Sequence, residues 1–314
     1  MPILSVIMPV KDGTAYIEEA VRSLQSQALR DWELIVVDDR STDDSARKAA
    51  SAGVDDPRVR VVANPGRGQV QAINFGYGLV QGEWLKIMDA DDLLAADFSD
   101  AFGSLSGAEA SYHDALLLDG RPGTPPLLCV GPRFASMSLS ESLRRVQVSP
   151  PRWSWTLKRR VADRVFPLPA ELPSPHEDVF FGLMIKKHAR VGYVPRPLYL
   201  YRQHAGQFYG GLFNFSPEAV TRRARAMLGI IDLVGRSEIV RDVEDAEALL
   251  AASRACFTLL GRDRLTWGDI LRARLGLGAR ARVAVIRKAP RAASWMSRRR
   301  AVGKLKNQDL DQVS

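Results

Sequence analysis

A mostly parallel α/β sheet flanked by helices is the fold this sequence predicts, and three observations predict it. Apolar runs alternate with stretches of helical periodicity through the first hundred residues. A polar cluster follows each apolar run, at the carboxyl end where ligands bind in open α/β sheets. The chain has 314 residues, 46% of them hydrophobic, enough for one large α/β domain with an appendage.

The elements follow in order. LSVIMPV (4–10) is the first strand, and AYIEEAVRSLQSQ (15–27) is a helix with Ile17, Ala20, Val21 and Leu24 on one face. WELIVVDD (32–39) is the second strand. Ser41 to Asp44 then offer caps for a helix through 46–52. VRVVANP (59–65) is the third strand, ended by Pro65-Gly66, and a helix over 69–80 leads into the fourth, GEWLKIMD. Residues 110–175 are rich in Pro, Gly and Ser and yield one helix, 139–147. A helix over 178–188 and a strand over 191–202 follow. From 216 onward the pattern is helical, so the chain divides into a domain of residues 1–215 and a helical, basic C-terminal extension of residues 216–314.

Composition excludes several classes. No run of 18 or more apolar residues reads as a transmembrane helix. The segment MPILSVIMPV lacks a basic leader and a small-residue cleavage site, which makes it a strand and not a signal peptide. Cys129 and Cys256 stand far apart without metal-ligand spacing, as reduced thiols of a cytoplasmic protein do. The net charge is +8, yet residues 271–306 alone hold 12 Arg or Lys and no acid, so the body is close to neutral. Leu271, Leu275, Val283, Ile286, Trp295, Met296, Val302 and Leu305 are interspersed with those charges. The pattern reads as broken amphipathic helices lying on an anionic bilayer, a peripheral site on the inner face of the membrane. The alternative is a basic face packed on the catalytic domain. Nucleic acid is a poor partner, because the body carries no supporting basic surface.

The stretch MDADD concentrates the chemistry. Three carboxylates in four residues repel one another and are costly to desolvate without a partner. At a strand end Asp89 and Asp91 share a face while Ala90 points away. Two hard oxygen ligands on one face suit Mg²⁺ or Mn²⁺ shared with a substrate phosphate. The plain alternative is a polar loop in which Asp92 caps the next helix. GRGQVQ approaches a dinucleotide fingerprint, but Gln71 stands at its last glycine position and no acid follows at the required distance.

SVIMPVKDG, WELIVVDDRSTDDS, GQVQAINFGYGLVQGEWLKIMDADD, HEDVFF and YLYRQH occur in an order and spacing that closely resemble the family 2 glycosyltransferases of the GT-A fold, over residues 3–206. The resemblance implies an inverting, metal-dependent transfer from a nucleotide-diphosphate sugar, with a UDP-sugar the expected donor. The acceptor would be a glycan or lipid-linked molecule in surface polysaccharide biosynthesis. It places Pro9, Val10 and Lys11 along the base and ribose and gives Asp39, with Asp38, a hydrogen bond from the base. It sets Asn64, Arg67, Gln69, Asn74, Asp89 and Ala90 on the nucleotide side as well. Asp178 becomes the base that takes the acceptor proton, kept ionised by its helix N-terminus, and Glu177 orients the acceptor. The metal falls to Asp89, Asp91 and His204, and the diphosphate to Arg202. Trp153 and Trp155 are candidates for a sugar face or for the core. Lys11-Asp12 departs from the family's usual residues at that turn. Two other functions are weaker. A nucleotide-binding scaffold with a degenerate site is opposed by the intact Asp89, Asp91 and Asp178. A nucleotidyltransferase would need a Gly-rich phosphate loop where PVKDG stands.

Overall fold

The computed structural model describes residues 2–105, 108–118, 127–128, 131–146, 148–173, 176–204, 206, 215–263, 265–272, 275 and 277–288. Strands and helices first alternate: β1 (Leu4–Val10), α1 (Ile17–Gln25), β2 (Trp32–Asp38), α2 (Ser45–Ala52), β3 (Val59–Ala63), α3 (Gln69–Tyr77) and β4 (Trp84–Ile87). Next come β5 (Leu93–Leu94), α4 (Phe98–Leu105), β6 (Ala110–Leu118), β7 (Leu127–Leu128), α5 (Arg133–Ser136), α6 (Leu139–Arg144), β8 (Trp155–Lys158), α7 (Arg159–Val165), α8 (Glu177–His188) and β9 (Val191–Arg202). The helices α9 (Pro217–Arg236), α10 (Ala246–Leu260), α11 (Trp267–Arg272) and α12 (Leu277–Lys288) complete the described chain.

The sheet order is β3-β2-β1-β4-β8-β6-β9-β5, with β7 beside β6. The first four strands are parallel, as the alternation predicts. The second half is not. β8 runs antiparallel to both β4 and β6, and β5 antiparallel to β9, while β6 and β9 are parallel. Between β6 and β8 the described residues hold only the short helices α5 and α6, the two-residue β7 and a 3-10 turn, with no crossover helix to return the chain for a parallel pairing. The strands β6 and β8 fall in the stretch where the sequence shows no strand.

β1 is buried at all seven positions because helices cover both faces. Alternate residues serve opposite cores: Val6 and Met8 pack with α1 and α4, whereas Ile7 packs with α3, α7 and α8. On α1 the buried residues are the Ile17, Ala20, Val21 and Leu24 of the predicted face. α3 lies close over the sheet at Gly76, where a Cβ would come within 2.7 Å of Ile7 and 3.1 Å of Val37.

Ser216 caps α9, accepting a hydrogen bond from the Ala219 N–H. The helix buries Met227, Ile230, Ile231 and Val234 in the main core and Val220 and Ala224 against α10 and α12. Val283 is fully buried and Leu275 nearly so, with Ile286 packed beside them, which corrects the expectation that these three face a bilayer. Arg287 donates to the carbonyls of Pro217, Arg262 and Asp263 and to Thr221 Oγ1, tying α12 to α9. Leu271 is 64% exposed, in keeping with its expected place on an outer face. Trp295, Met296, Val302, Leu305 and Cys129 lie outside the described residues.

Asn74 on α3 donates through Nδ2 to the Leu168 carbonyl and accepts from the Leu168 N–H, both at 2.8 Å. The amide is thus engaged in holding the segment after α7, away from the nucleotide-side role the resemblance implies. Replacing Asn74 with Ala strands two backbone groups of the buried Leu168. The expected cost is about 1–3 kcal/mol of stability, read by urea unfolding; an unchanged midpoint would contradict that role.

Candidate active site

The carboxyl ends of β1 to β4 meet along one rim. Asp39 N–H donates to the Val10 carbonyl and Asn64 N–H to the Asp38 carbonyl, each at 2.8 Å, and Met88 N–H to the Ile7 carbonyl at 2.9 Å, so the four polar clusters adjoin in space. Pro9 and Val10 are buried and Lys11 is exposed. Asp12 takes a positive φ of 51° and accepts from the Thr42 N–H at 2.7 Å, closing the first turn onto the loop before α2.

Asp39 shapes the next loop. Its carboxylate accepts from the Gly68 N–H at 2.9 Å and from Asn64 Nδ2 at 2.7 Å, while Asn64 Oδ1 accepts from the Gly66 N–H. Gly68 has φ +90°, a conformation that favours glycine, and it opens α3. Arg67 is exposed at the tip of this loop and Gln69 is half-buried beside it. With the oxygens of Asp39 occupied in this way, Asp38 Oδ1 is a buried acceptor without a partner among the described residues.

Each acid of the DADD stretch has its own neighbour. Asp89 is ion-paired with Arg152, and its N–H donates to Tyr199 Oη at 2.9 Å. Asp91 Oδ2 lies 3.0 Å from His204 Nε2. Asp92 is fully buried and accepts from the Arg202 N–H at 2.7 Å; its other oxygen has no partner among the described residues. It caps no helix, since α4 starts only at Phe98. Ala90 is buried in the core, as the alternation requires. Burial raises the pKa of Asp91, and the Asp89 charge adds to the effect. Burial raises Asp92 well above the carboxylate range, with Asp91 and Asp89 contributing.

Arg202 is engaged within this support. Nε donates to the Asp91 carbonyl at 2.8 Å, Nη2 pairs with Glu19 at 2.6 Å, and the guanidinium lies 4.7 Å from the Tyr16 ring centroid. The ring of His204 packs on the same tyrosine, 4.8 Å between centroids. Arg202 therefore holds the acidic loop in place, with its fork committed to protein groups.

The HED motif opens α8. His176 stands at the N-cap position without a side-chain capping bond, and Ser174, the other cap considered, lies outside the described residues. Glu177 is fully buried and paired with Arg152, which removes its carboxylate from direct reach of an acceptor. Asp178 Oδ1 accepts from the Arg152 N–H at 2.8 Å. Burial first, then the neighbouring Glu177 charge, push its pKa up to about 7. Desolvation thus outweighs the helix N-terminus expected to keep it ionised, and the group is poised near neutrality.

Arg152 was not legible as a site residue. It sits in a short 3-10 turn, Arg152–Ser154, with its side chain 5% exposed. Trp153 and Trp155 flanking this turn are buried, which places both in the core and leaves neither open to a sugar. Trp153 stacks on Tyr199 with 4.7 Å between centroids and 3° between planes. Its carbonyl accepts from Lys86 Nζ at 2.6 Å, and Lys86 is itself fully enclosed in the sheet. His113 Nδ1 lies 2.8 Å from the Asp114 carbonyl and so carries the proton, leaving Nε2 to accept from Lys86 at 3.0 Å. A signal for Lys86 existed in the sequence: it alternates with Trp84 and Met88 and shares their buried face.

Comparison with known proteins places this geometry. Residues 5–100 match the family described as Glycosyl transferase family 2. An uncharacterized glycosyltransferase of Bacillus subtilis, EpsJ, is 28% identical over 218 residues, covering 65% of this chain and 62% of that protein. The GalNAc(5)-diNAcBac-PP-undecaprenol beta-1,3-glucosyltransferase of Campylobacter jejuni is 38% identical over 96 residues, 30% of this chain and 31% of that protein. The chain thus spans less than two thirds of the length of these curated relatives. Among solved structures, S. aureus TarS 1-349 with UDP-GlcNAc aligns over 98% of this chain and 92% of that one, with TM-score 0.56 and 17% identity. The mannosyltransferase PcManGT from Pyrobaculum calidifontis, solved with GDP-Man and Mn²⁺, aligns over 98% and 88% with TM-score 0.60 and 19% identity. At these identities the structures show a shared fold.

Burial lowers the pKa of Lys86 to about 7, partly countered by Asp89. Between that value and about 10.4 the unfolded chain binds a proton that the folded state sheds. The contribution of Lys86 to stability is therefore full above the higher value and lost as pH falls towards 7. Urea midpoints measured from pH 7 to 9 should rise with pH in the wild type, and that slope should flatten in Lys86→Met. An identical slope in both proteins would contradict the assignment.

Proposed function

Residues 5–100 match glycosyltransferase family 2, and from that premise we propose that the chain is an inverting, divalent-metal-dependent enzyme of this family acting on a nucleotide-diphosphate sugar. The observation that carries the reading is one buried arginine: its guanidinium joins Asp89, on the donor side, to Glu177, on the acceptor side, and its peptide N–H holds Asp178. Two motifs far apart in sequence thereby form a single site.

In this mechanism the acceptor hydroxyl attacks the anomeric carbon from the face opposite the nucleotide. A new C–O bond forms as the bond to the diphosphate breaks, and the nucleoside diphosphate leaves with the electron pair. Asp178 takes the hydroxyl proton on Oδ2, because Oδ1 is held by the Arg152 N–H. Asp38 Oδ1, an acceptor in want of a donor, suits the N3–H of uracil or thymine or the N1–H of guanine; a UDP-sugar is the donor the resemblance implies. Arg67, exposed beside the rim, would reach the phosphates; Lys11 and Gln69 line the same edge.

Among the described residues no group of three or more His, Cys, Asp or Glu side chains forms a ready cation site. The donor set nevertheless fits one, since Asp91 and His204 are already adjacent and the next residue, Asp92, keeps a buried oxygen without a hydrogen-bond partner among the described residues. Asp89, Asp91 and His204 would hold Mn²⁺ or Mg²⁺. The ion would neutralise charge on the departing diphosphate.

The acceptor is inferred to be a glycan or a lipid-linked molecule, in line with the undecaprenol-linked substrate in the name of the C. jejuni relative. No described helix is long and apolar enough to cross a membrane. With α12 packed on α9, a peripheral contact with anionic lipid rests on Leu271 and on the basic residues beyond 288.

Transfer from UDP-, GDP- and dTDP-sugars, assayed with and without EDTA, tests the reading. Chelation should abolish turnover and Mn²⁺ restore it. Asp178→Asn should lower kcat by about 10²–10⁴. Metal-independent turnover, or full activity in Asp178→Asn, would overturn the assigned roles. Because the base must be deprotonated, kcat/KM should fall as pH drops below about 7. A flat pH–rate profile from pH 5.5 to 8 would exclude Asp178 as that base.

A further inference from the structure

We propose that Arg152 is the positioning residue of the transfer step, clamping Asp89 and Glu177 with the two ends of its guanidinium and fixing one oxygen of Asp178 with its backbone N–H. The inference rests on the family reading above and extends it to a residue which none of the sequence motifs contains.

Three observations carry it. The guanidinium is 5% exposed and lies between a fully buried Glu177 and an Asp89 that is 23% exposed. The planar fork presents Nη2 to Asp89 and Nη1 to Glu177, a span and geometry that the single nitrogen of an ammonium does not reproduce. The peptide N–H of the same residue donates to Asp178 Oδ1, so side chain and main chain of one residue reach both halves of the site. Third, the turn is held from behind. Lys86 Nζ fixes the Trp153 carbonyl, and the Trp153 ring stacks on Tyr199, whose hydroxyl accepts the Asp89 N–H. Any shift of Arg152 therefore moves Asp89 and Asp178 relative to each other.

The clamp has a consequence for the donor side. A cation competing for Asp89 must compete with Nη2, yet its success leaves no charge stranded, since Nη1 keeps Glu177. Arg152 thus weakens metal binding by the free protein while aligning the reacting groups. Its removal should move the two properties in opposite directions, which loss of a merely structural residue would not do.

The test compares wild type with Arg152→Lys, Glu177→Gln and the double variant Arg152→Met/Glu177→Gln, which removes both buried charges and so avoids an unpaired Glu177. Mn²⁺ affinity of the nucleotide-free protein is measured by titration calorimetry, and turnover with the sugar donor found in the screen above. In the double variant Mn²⁺ should bind about tenfold more tightly. Its kcat should fall about 10²-fold with the donor KM little changed. Glu177→Gln leaves Asp89 as the guanidinium's one paired carboxylate, so it should bind Mn²⁺ more weakly than wild type. Arg152→Lys should fold and lose kcat. Equal or weaker Mn²⁺ binding by the double variant, or turnover near wild type in either Arg152 variant, overturns the proposal. Should wild type transfer no sugar, the transferase reading falls on its own; the Mn²⁺ titration then decides Arg152, tighter binding supporting the clamp and equal or weaker binding refuting it.

Discussion

One arginine, its guanidinium paired with two carboxylates and its peptide N–H with a third, is the constraint around which this site is organised. Asp89, Glu177 and Asp178 converge on Arg152 in a region where water is largely excluded. One positive charge can offset two negative ones only in part, and desolvation penalises whatever remains. Asp178, bonded to the peptide N–H and not to the fork, takes up the imbalance, and burial together with Glu177 moves its pKa into the neutral range. A carboxyl that titrates near neutrality follows from that charge count.

Keeping a cation at that depth requires an equally specific backing. Lys86 enters the sheet interior from β4, where burial lowers its pKa, and it serves as hydrogen-bond donor to the turn that bears Arg152. His113, whose pKa burial and then Lys86 push well down, is the neutral acceptor completing this chain of contacts. Two aromatic rings, Trp153 and Tyr199, transmit the turn's position to the backbone of Asp89. Both rings are buried, so neither is open to a sugar, and together they form the layer behind Asp89.

The second half of the sheet explains how such distant residues meet. β8 follows directly after the Arg152 turn and lies antiparallel beside β4, so the turn sits against the strand that leads into Asp89. α8 begins on the other side of the same turn, and its first residues are Glu177 and Asp178. A purely parallel arrangement of these strands would reverse β8 and carry the turn to the opposite edge.

Local pattern determined the first half of the molecule almost entirely. Apolar runs and helical faces such as Ile17, Ala20, Val21 and Leu24 depend on neighbouring residues alone. So does the placement of Asp38, Asn64 and Asp89 at strand ends. The resemblance likewise drew together Asp89, Asp91, His204, Glu177 and Asp178, which the structure places close to Arg152 or to one another. Tertiary structure decided which charge meets which. Arg152 and Asp89 are 63 positions apart, and no local periodicity encodes that distance. Asp39, Asn64, Asn74 and Arg202 carry side chains suited to a ligand, yet their hydrogen bonds run to Gly68, Asp39, Leu168 and Glu19. Whether a polar group serves a ligand or the fold depends on what packs beside it, and only the assembled chain supplies those neighbours.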